Sequence, residues 1–538
     1  MQFKSLPVLV LLSAIVILAW WLPNRAQNPV PGARAQKFNS LSYEGYRPGE
    51  SPLTDHFPTE AEVDQDLTLL APITRAIRTY SALEGTYDIP AIAQKHGIKV
   101  WQGIWLGGDR ARNQLQMAKA IEMAHRYPDT IERVVVGNEV LLRRDLPVDE
   151  LIADIDQVKA AVKQQVVYAD VSDFWDQFPQ VAPHVDVVLI HLLPFWEDVP
   201  IGVGRAVANG GKVYTHFTEA FPGKQIAIGE TGWPSRGRQR GAAVPGRINQ
   251  ARFMREFMAL AAARHFDYNF IEAFDQTWKY ANEGIVGANW GLWTADRAEK
   301  IPPSGPLRED PLWWLHALVS ILAGLLLTGL GFVRRGPGAP RATQVALLGM
   351  TLGAALGVAE AGTLPVLYTA PVRMAAAANL VGQGLLAALM MLRLCGAVAP
   401  ANWRAGSDAT RRLLCWLRLR HAAWPGLFED LAFLFAWAAA VDQILLVFDP
   451  RYREFPLASF AVPLVVIAAR AAQSDLPRGT GGREEALLAV TLTGGAIASA
   501  VQEGALNGQS LVWNACVLLL AAPLWLSLSK ARTEATQA

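Results

Sequence analysis

Cysteine is nearly absent from this chain of 538 residues. The three cysteines, Cys395, Cys415 and Cys516, all lie in the C-terminal part, and residues 1–310 contain none. The N-terminal part therefore cannot be a disulfide scaffold and offers no thiolate ligands to a structural zinc ion. Its fold must depend on a hydrophobic core, which a segment of this length can form.

Charged residues are also scarce. Asp, Glu, Lys and Arg make up 18% of the chain and hydrophobic residues 51%, which excludes intrinsic disorder, collagen and a coiled coil. The net charge of +1 combines −4 for residues 1–310 with +5 for the remainder. Nucleic-acid binding requires a clustered basic face, so no nucleic-acid partner is expected. The split indicates a soluble domain joined to a membrane domain.

The usual signatures of cofactor binding are missing as well. The glycines of Gly202–Gly211 lack the dinucleotide-binding spacing, and the nine histidines lack zinc-ligand spacing. The chain also has no room for a separate nucleotide-sugar transferase domain with an acidic metal-binding motif. We therefore predict no cofactor and no metal ion, and we do not expect synthesis from an activated sugar.

Apolar runs long enough to cross a bilayer are concentrated after Pro311. Seven spans are predicted, at 312–333, 343–363, 366–392, 427–448, 455–471, 485–503 and 510–528. The run Leu6–Leu22 fits either a signal peptide or an uncleaved anchor, and its distance from the small-residue motif Ala33–Ala35 favours the anchor. The predicted organisation is an anchor and linker at 1–36, a soluble domain at 37–310 and a transmembrane helical domain at 311–538.

Arginine and lysine residues occupy every second connection between the predicted spans, from Arg334 to Lys530. Positively charged loops remain in the cytoplasm, so these loops and both termini are expected there. The segment 23–311 consequently faces outward from an inner or plasma membrane. The lipid bilayer is thus an expected partner, whereas protein partners are not predictable from the sequence.

Polar residues occur within or near the predicted spans, where a charge is costly and often functional. They are Glu360, Arg373, Asp442, Gln443 and Glu503. Two interpretations remain open at this point. The residues form helix-packing pairs, such as Glu360 with Arg373, or they line a polar path or groove for a lipid-linked substrate.

The soluble segment has the size and the pattern of one (β/α)₈ barrel, the TIM-barrel architecture. Helix-length stretches such as Asn113–Arg126, Asp149–Lys163 and Asn249–His265 alternate with short β-prone runs. Those runs are Leu41–Tyr43, Ala76–Thr79, Lys99–Trp105, Arg133–Val136, Val166–Ala169, Val187–His191, Ile226–Gly229 and Phe270–Ala273. The fold class predicted is α/β, a TIM barrel followed by an all-α multi-span transmembrane domain.

Two carboxylates follow predicted strands at the barrel mouth, where functional groups of this fold lie. Glu139 follows the fourth strand and Glu230 the seventh. A carboxyl pair facing a cleft is what glycosidic-bond cleavage requires, since one group protonates the leaving oxygen and the other attacks or activates water. A solvated loop carboxylate would be the ordinary interpretation of either residue taken alone.

Other predicted strand ends supply aromatic and hydrogen-bonding side chains. Aromatic faces stack on sugar rings, and polar groups bond to sugar hydroxyls, so the set predicts a carbohydrate groove. The residues expected to bind substrate are Tyr43, Arg78, Tyr80, His191, Trp196, Glu272, Trp278 and Lys279. His191 is expected to bond sugar or brace the site rather than to bind metal.

Five motifs in this order resemble glycoside hydrolase family 17, the β-1,3-glucanases and glucanosyltransferases, in its bacterial and fungal branch. They are IRTY at 77–80, VGNEVL at 136–141, HLLPFWE at 191–197, ETGWPS at 230–235 and EAFDQTWK at 272–279. The similarity covers roughly residues 40–300. It implies a β-glucan oligosaccharide or polysaccharide as the substrate.

The resemblance implies a retaining mechanism with Glu139 as general acid/base and Glu230 as nucleophile. It also implies that Asn138 holds the sugar 2-hydroxyl and that Trp233, within the ETGWPS motif, contributes to substrate binding. The family usually carries Tyr where this chain has Phe195, which puts one hydroxyl contact in doubt. Hydrolysis and transglycosylation or branching pass through the same intermediate and both stay open, as does a non-catalytic glucan sensor.

Overall fold

The computed structural model describes residues 6–33, 36–333, 341–397, 427–473, 476 and 482–537. The chain divides into two compact units. One unit comprises residues 26–308, and the other comprises residues 1–25 with 309–538. The N-terminal helix α1 (Leu6–Trp21) belongs to the second unit, together with the C-terminal helices.

The first unit is a closed barrel of eight parallel strands in sequential order, as the sequence predicts. The strands are β1 (Phe38–Ser42), β2 (Thr74–Arg78), β3 (Lys99–Ile104), β4 (Ile131–Asn138), β5 (Gln165–Val171), β6 (Val187–Leu192), β7 (Gln225–Thr231) and β8 (Tyr268–Phe270). Because parallel strands run in one direction, all eight carboxyl ends meet at one mouth of the barrel. The barrel predicted from the alternation of strand and helix signals is therefore confirmed.

Helices follow the strands and cover the barrel. They are α2 (Glu60–Leu70), α3 (Ile89–Lys95), α4 (Arg110–Arg126), α5 (Val140–Arg143), α6 (Val148–Ala161), α7 (Ser172–Gln177), α8 (Val203–Ala220), α9 (Arg247–Arg264) and α10 (Tyr280–Gly287). The local sequence explains their starts: at α2, Thr59 and Glu62 form a reciprocal capping box. The predicted helices near 113–126, 149–163 and 249–265 correspond to α4, α6 and α9.

Hydrophobic residues fill both sides of the strand layer. A large cluster lies between strands and helices, and a separate small cluster of alternate strand residues, including Trp101, Val135 and Leu189, fills the interior. Burial on both faces explains why β6 contains only buried residues and reads as a nearly continuous apolar run.

The last strand ends earlier than predicted. The sequence suggests a strand at Phe270–Ala273, whereas β8 ends at Phe270. Beyond this point Ile271 N still bonds to Thr231 O of β7 and Ala273 N to Ser42 O of β1, but Glu272 pairs with the segment after α10: Glu272 N lies 3.3 Å from Trp290 O, and Leu292 N lies 3.0 Å from Glu272 O. Hydrogen bonding to a distant segment decided this boundary, and that information is not local.

The second unit is helical. After α1, its helices are α11 (Trp313–Val333), α12 (Ala342–Thr363), α13 (Ala370–Leu394), α14 (Leu427–Phe448), α15 (Ala461–Ala472), α16 (Arg483–Glu503) and α17 (Gly508–Gln537). Within the described residues, six of these, all except α1 and α15, are long and apolar enough to cross a membrane. These helices are compatible with a multi-pass membrane protein.

The prediction of seven full-length spans needs correction at 455–471. This segment is broken into a 3₁₀ turn, Leu457–Phe460, and the 12-residue helix α15, so it is shorter than the other six. The Gln383 side chain provides hydrogen bonds to backbone groups at the break. Its Nε2 group donates to Ala458 O, and its Oε1 atom accepts from Val462 N. Backbone groups freed at membrane depth need such partners.

The polar residues of the helical unit bond to neighbouring helices. Glu360 pairs with His316, whose Nδ1 lies 2.7 Å from Glu360 Oε2, rather than with the exposed Arg373. Gln443 accepts a hydrogen bond from Trp513 Nε1 at 2.6 Å. These contacts support the helix-packing interpretation of Glu360 and Gln443, although Glu360 has a different partner from the one expected.

Candidate active site

The backbone directs Glu139 into the barrel mouth by a sharp turn. Glu139 follows β4 in the left-handed region, with φ of 52°, and precedes the short helix α5. Gly137 has φ of 88°, and a methyl group there would lie 2.7 Å from Val140 Cγ2. A left-handed non-glycine residue is strained, and such strain is concentrated at functional sites.

Glu230 lies near the end of β7, close to Glu139. A carboxylate oxygen of each residue and a ring nitrogen of His191 all lie within 4.8 Å of one another. Glu230 is 5% exposed, whereas the Glu139 side chain is 21% exposed. The short separation is typical of retaining glycosidases, in which the carboxyl groups are about 5 to 5.5 Å apart, and not of inverting enzymes, where a water must fit between them.

Glu230 is held by a guanidinium and a phenol. Arg78 Nη1 lies 3.2 Å from Glu230 Oε1, and the Tyr80 hydroxyl donates to the same oxygen at 2.8 Å. Burial and the adjacent Glu230 charge raise the pKa of Tyr80 well above its usual value, so the phenol remains a donor. Both contacts converge on one oxygen and fix the orientation of the Glu230 carboxyl group at the mouth.

Arg78 organises the centre of the mouth. Its Nη1 group also donates to Gly229 O at 2.7 Å, and its Nη2 group donates to Asn138 Oδ1 at 2.5 Å. The second bond fixes the orientation of the Asn138 amide, beside Glu139. Arg78 is completely buried, and these contacts are all with neighbouring residues of the mouth.

His191 is the hydrogen-bond partner of Glu139. Its Nδ1 atom lies 2.7 Å from Glu139 Oε1. Burial favours the neutral acid, but the hydrogen bond and the charge of the imidazole outweigh burial and lower the pKa of Glu139.

A second charged cluster lies beyond Tyr80, where β1 and β8 end. Lys279 Nζ lies 2.9 Å from Glu272 Oε2 and 3.3 Å from Glu44 Oε2. Burial raises the pKa of Glu272, and the Lys279 charge opposes this effect. The structure thereby brings the predicted residues Glu272 and Lys279 together, and it places Oε1 of Glu272, which is buried and has no protein partner, in this cluster.

Two of the predicted tryptophans are partly exposed on loops that follow the barrel strands. Trp196 stacks on Trp290 with ring centroids 6.2 Å apart and an interplanar angle of 22°. Trp278, partly buried, packs edge-on against Tyr46 at 6.1 Å. Partly exposed indole faces are suited to sugar rings, so these two predicted tryptophans keep their place in the candidate groove.

Three other predicted substrate contacts have packing or supporting positions instead. Tyr43 is 2% exposed, and its hydroxyl donates to Asp66. Trp233 is 0% exposed and packs between Phe195 and Phe253, with its Nε1 group on Val244 O. His191 is also 0% exposed and meets carboxylates rather than the groove surface. Strand-end position alone does not separate such residues from groove residues, because side-chain direction depends on local twist.

Several residues at the site were missed from the sequence. Ser42 bonds to the Tyr80 hydroxyl at 2.7 Å and receives a hydrogen bond from Asn269 Nδ2 at 2.7 Å. Glu44 and Tyr46 were missed as well, and Trp290 was identified only as part of the segment WGL at 290–292 that extends the family resemblance. Glu44 and Tyr46 directly follow β1, a signal that could have identified them, whereas the position of Trp290 depends on the long connection after β8.

The carboxylates and His191 form a set of possible metal ligands within the described residues. The fit to a metal ion is poor, because Arg78 Nη1 already lies 3.2 Å from Glu230 Oε1 and 3.4 Å from His191 Nε2. A guanidinium at this position supplies the positive charge that a cation would bring. We assign no ion to this set.

A parallel eight-stranded barrel with two close carboxylates at its mouth, one held by Arg and Tyr, defines a glycoside hydrolase domain. Residues 40–291 match the family model described as the BtgE/BtgC glycoside hydrolase domain. This match covers slightly less than half of the chain, and it confirms the resemblance of the barrel to glycoside hydrolase family 17 and its class as a glycosidase.

Curated relatives share about a quarter of their residues with this chain. The glucan 1,3-beta-glucosidase of Arthroderma benhamiae is 27% identical over 262 residues, covering 45% of this chain and 83% of that protein. The glucan 1,3-beta-glucosidase of Schizosaccharomyces pombe is 28% identical over 237 residues, covering 40% and 72%. These alignments extend over a region about the size of the barrel.

A solved structure with the same kind of barrel is the glycoside hydrolase family 17 beta-1,3-glucanosyltransferase from Rhizomucor miehei. It is 24% identical, with a TM-score of 0.44, and the match covers 51% of this chain and 99% of that chain.

Proposed function

We propose that the barrel cleaves β-1,3-linked glucan by a retaining double displacement. The observation that carries the proposal is the separation of Glu139 and Glu230, whose nearest oxygens lie within 4.8 Å. This distance leaves no room for a water between them and allows Glu230 to reach the anomeric carbon itself. The names of the matched relatives support β-1,3-glucan as the substrate class.

In the first half-reaction, Glu230 attacks the anomeric carbon while Glu139 protonates the departing glycosidic oxygen. Arg78 and Tyr80 hold Glu230 in place through its Oε1 atom. The product is a covalent glycosyl ester of Glu230 and a free sugar hydroxyl on the leaving glucan.

In the second half-reaction, Glu139 acts as base toward an incoming hydroxyl. Water gives hydrolysis, and another glucan gives transfer. Asn138, oriented by Arg78, is the residue proposed to hold the sugar 2-hydroxyl, a contact that strengthens as oxocarbenium character develops. This contact stabilises both transition states, because each has the same charge distribution at the sugar ring.

Substrate is held along the groove by the aromatic and charged residues beside the carboxylates. Trp196 and Trp278 offer faces for stacking on sugar rings, and the cluster of Glu272 with Lys279 offers groups for sugar hydroxyls. The unpartnered Oε1 atom of Glu272 is an acceptor that a hydroxyl would satisfy.

The test is incubation of the purified full-length chain in detergent with laminari-oligosaccharides of one length. Only shorter products indicate hydrolysis, and products longer than the substrate indicate glucanosyl transfer. Inverted stereochemistry of the first-formed product would contradict the retaining mechanism. Absence of turnover on any β-glucan, with binding retained, would favour the non-catalytic sensor.

We also propose that the helical unit spans the inner or plasma membrane and that the barrel is displayed outside the cytoplasm. The six long apolar helices and the basic residues of alternate connections support this arrangement. A phosphatase reporter fused after Ser304 should be active only if this position lies outside. A second fusion after Leu476 tests whether the broken segment 457–472 crosses the membrane, because that position should then be inactive.

A further inference from the structure

The part of the barrel mouth beside Glu139 holds the leaving glucan, because Glu139 protonates the glycosidic oxygen of that glucan. Glu139 follows β4, whose neighbours in the barrel are β3 and β5. The cluster of Glu272, Lys279 and Glu44 lies where β8 and β1 end, farther around the barrel. A contact to the leaving glucan is therefore expected at the end of β3 or of β5.

The end of β3 carries an exposed indole. Trp105 directly follows this strand and is 40% exposed, more than any other Trp, Tyr or Phe side chain of the described barrel residues, 26–33 and 36–308. The end of β5 offers no comparable face, because Asp170 is completely buried and bonded to Tyr168. A flat apolar ring at the mouth is suited to stacking on a glucose ring.

A single exposed apolar side chain is ordinary at a protein surface, but Trp105 is braced from behind. The Arg143 guanidinium lies over one face of the indole, with its Cζ atom 4.3 Å from the ring centroid. Arg143 is itself fixed by three hydrogen bonds, from Nη1 to Asn138 O, from Nη2 to Leu106 O at 2.8 Å and from Nε to Asp145 Oδ2 at 2.7 Å. The guanidinium thus covers one face and leaves the other for a ligand.

The loop that carries Trp105 is braced as well. The buried Asn113 side chain of α4 pairs with Gly107 in both directions: Gly107 N donates to Asn113 Oδ1 at 2.9 Å, and Asn113 Nδ2 donates to Gly107 O at 2.9 Å. Leu106 is completely buried. A ring that is held in place before binding loses little conformational freedom when a sugar stacks on it.

Arg143 joins this indole to the turn of the acid/base. It is the last residue of α5, the short helix that follows Glu139, and its Nη1 group bonds to the backbone oxygen of Asn138, the residue before Glu139. Burial raises the pKa of Glu139, and the Arg143 charge is one of those that oppose burial. Because one guanidinium contacts both parts, Trp105 keeps a fixed position relative to Glu139.

We propose that Trp105 is the platform on which a glucose ring stacks on the leaving-group side of the scissile bond. The inference rests on the proposed retaining mechanism. In the first half-reaction, the indole holds the departing glucan.

In the second half-reaction, the same indole holds the incoming glucan. A hydroxyl of this glucan attacks the anomeric carbon and gives its proton to Glu139, while the ester bond breaks and Glu230 leaves as a carboxylate. Water gains nothing from an aromatic face. Trp105 therefore favours transfer to glucan over hydrolysis.

The test compares two substrates with the full-length chain in detergent. Laminarihexaose occupies both sides of the scissile bond, whereas β-laminaribiosyl fluoride places no sugar on the leaving-group side. We expect Trp105→Ala to lower kcat/KM about tenfold on laminarihexaose and less than about twofold on the fluoride. An equal loss on both substrates, or no loss on either, would overturn the proposal.

Two control variants separate stacking from other effects of the substitution. Trp105→Phe keeps an aromatic face and should retain most of the activity on laminarihexaose. Trp278→Ala removes an indole that packs against Tyr46 beside Lys279, away from β4, and should lower kcat/KM on both substrates. If Trp105→Ala gave the same pattern as Trp278→Ala, Trp105 would lie on the donor side, contrary to the proposal.

Partition of the glycosyl ester gives an independent readout. With β-laminaribiosyl fluoride as donor and laminaritriose as acceptor, the ratio of transfer product to laminaribiose is measured against the laminaritriose concentration. Trp105→Ala should need about tenfold more laminaritriose to reach the same ratio. An unchanged ratio, or no transfer product from the unmodified protein, would contradict acceptor binding by Trp105.

The two proposals fail in distinguishable ways. If the unmodified protein cleaves neither substrate, the glycosidase proposal fails and takes this inference with it. If the unmodified protein cleaves both substrates and Trp105→Ala changes neither, or loses both in equal proportion, the glycosidase proposal stands and only the role of Trp105 is wrong.

Discussion

The barrel mouth and the helical region differ in how far their buried charges are compensated. In the helical region, opposite charges meet directly, as in the pair of Arg393 Nη1 with Glu429 Oε1 at 3.0 Å. At the barrel mouth, Arg78 pairs with Glu230, but like charges are brought together as well: Glu139 lies close to Glu230, and burial with the Glu44 charge raises the pKa of Glu84. The first arrangement compensates desolvation, whereas the second costs stability and is the kind found at functional sites.

The strongest test of this contrast is Glu230→Gln. The amide oxygen can still accept from Arg78 and Tyr80, so the fold should be kept, but no nucleophile remains. We expect kcat to fall by at least about 10⁴-fold, with binding of laminari-oligosaccharides retained in calorimetry. A variant that keeps even about one tenth of the activity would show that Glu230 is not the nucleophile.

Glu139→Ala should lose activity to an extent that depends on whether the leaving group needs a proton. General acid–base catalysis contributes about 10² to 10⁴-fold, so turnover of oligosaccharides should fall in that range. Added azide needs no base and should restore turnover of a dinitrophenyl laminarioside, with a β-glycosyl azide as product. If azide does not restore turnover by Glu139→Ala, and Glu230→Gln likewise shows no turnover with azide, Glu139 is not the acid/base.

Substitutions in the helical region should change the stability of the protein rather than its catalytic rate. Arg393→Ala leaves Glu429 buried without this guanidinium, and breaking a buried pair costs about 3–5 kcal/mol. The double variant Arg393→Met with Glu429→Leu should recover most of that loss. The melting temperature in detergent measures the stability of both variants. A double variant no more stable than Arg393→Ala would show that the pair does more than neutralise charge.

Substitution of Trp233 and of Trp278 should separate the effect of packing from the effect of substrate binding. Trp233→Ala removes a fully buried ring and should cost about 3–5 kcal/mol of barrel stability. Trp278→Ala removes a partly exposed ring and should raise KM by up to about tenfold with little change in melting temperature. Reversed results, with KM sensitive only to Trp233, would restore Trp233 to the groove.

The smallest effect is expected from Glu84→Gln. Burial, and then the Glu44 charge, raise the pKa of Glu84 to about 8. The folded state therefore retains a proton that the unfolded chain has released, so native stability falls as pH rises from about 4.3 toward 8. An amide has no proton to lose, and the melting temperature of Glu84→Gln relative to the native protein should rise across this window. A difference in melting temperature between Glu84→Gln and the native protein that stays constant with pH would contradict the raised pKa of Glu84.

Much of the fold could be predicted because its signals are local. Eight strand signals alternating with helices define the barrel, since buried parallel strands are apolar on both faces. The segment 457–472 resisted prediction, because its apolar composition resembles a span while its break depends on a polar side chain of another helix, Gln383.

The candidate site divides in the same way. Glu139 and Glu230 were identifiable because each lies where a strand meets a loop. Glu44 and Ser42 were not identified, and the burial of Tyr43 was not foreseen, because neighbouring residues at one strand end point in different directions. Only packing shows that Tyr43 turns to Asp66 while Glu44 reaches Lys279.

The sequence by itself determined the two-part organisation, the barrel and the identity of its carboxylates, because apolar patterning and strand-end motifs are properties of short segments. The tertiary structure decided the separation of Glu139 from Glu230, the burial of Trp233 and the placement of His191 between two acids. These depend on strand register and on side-chain packing between segments that are distant in the sequence, which no local pattern encodes.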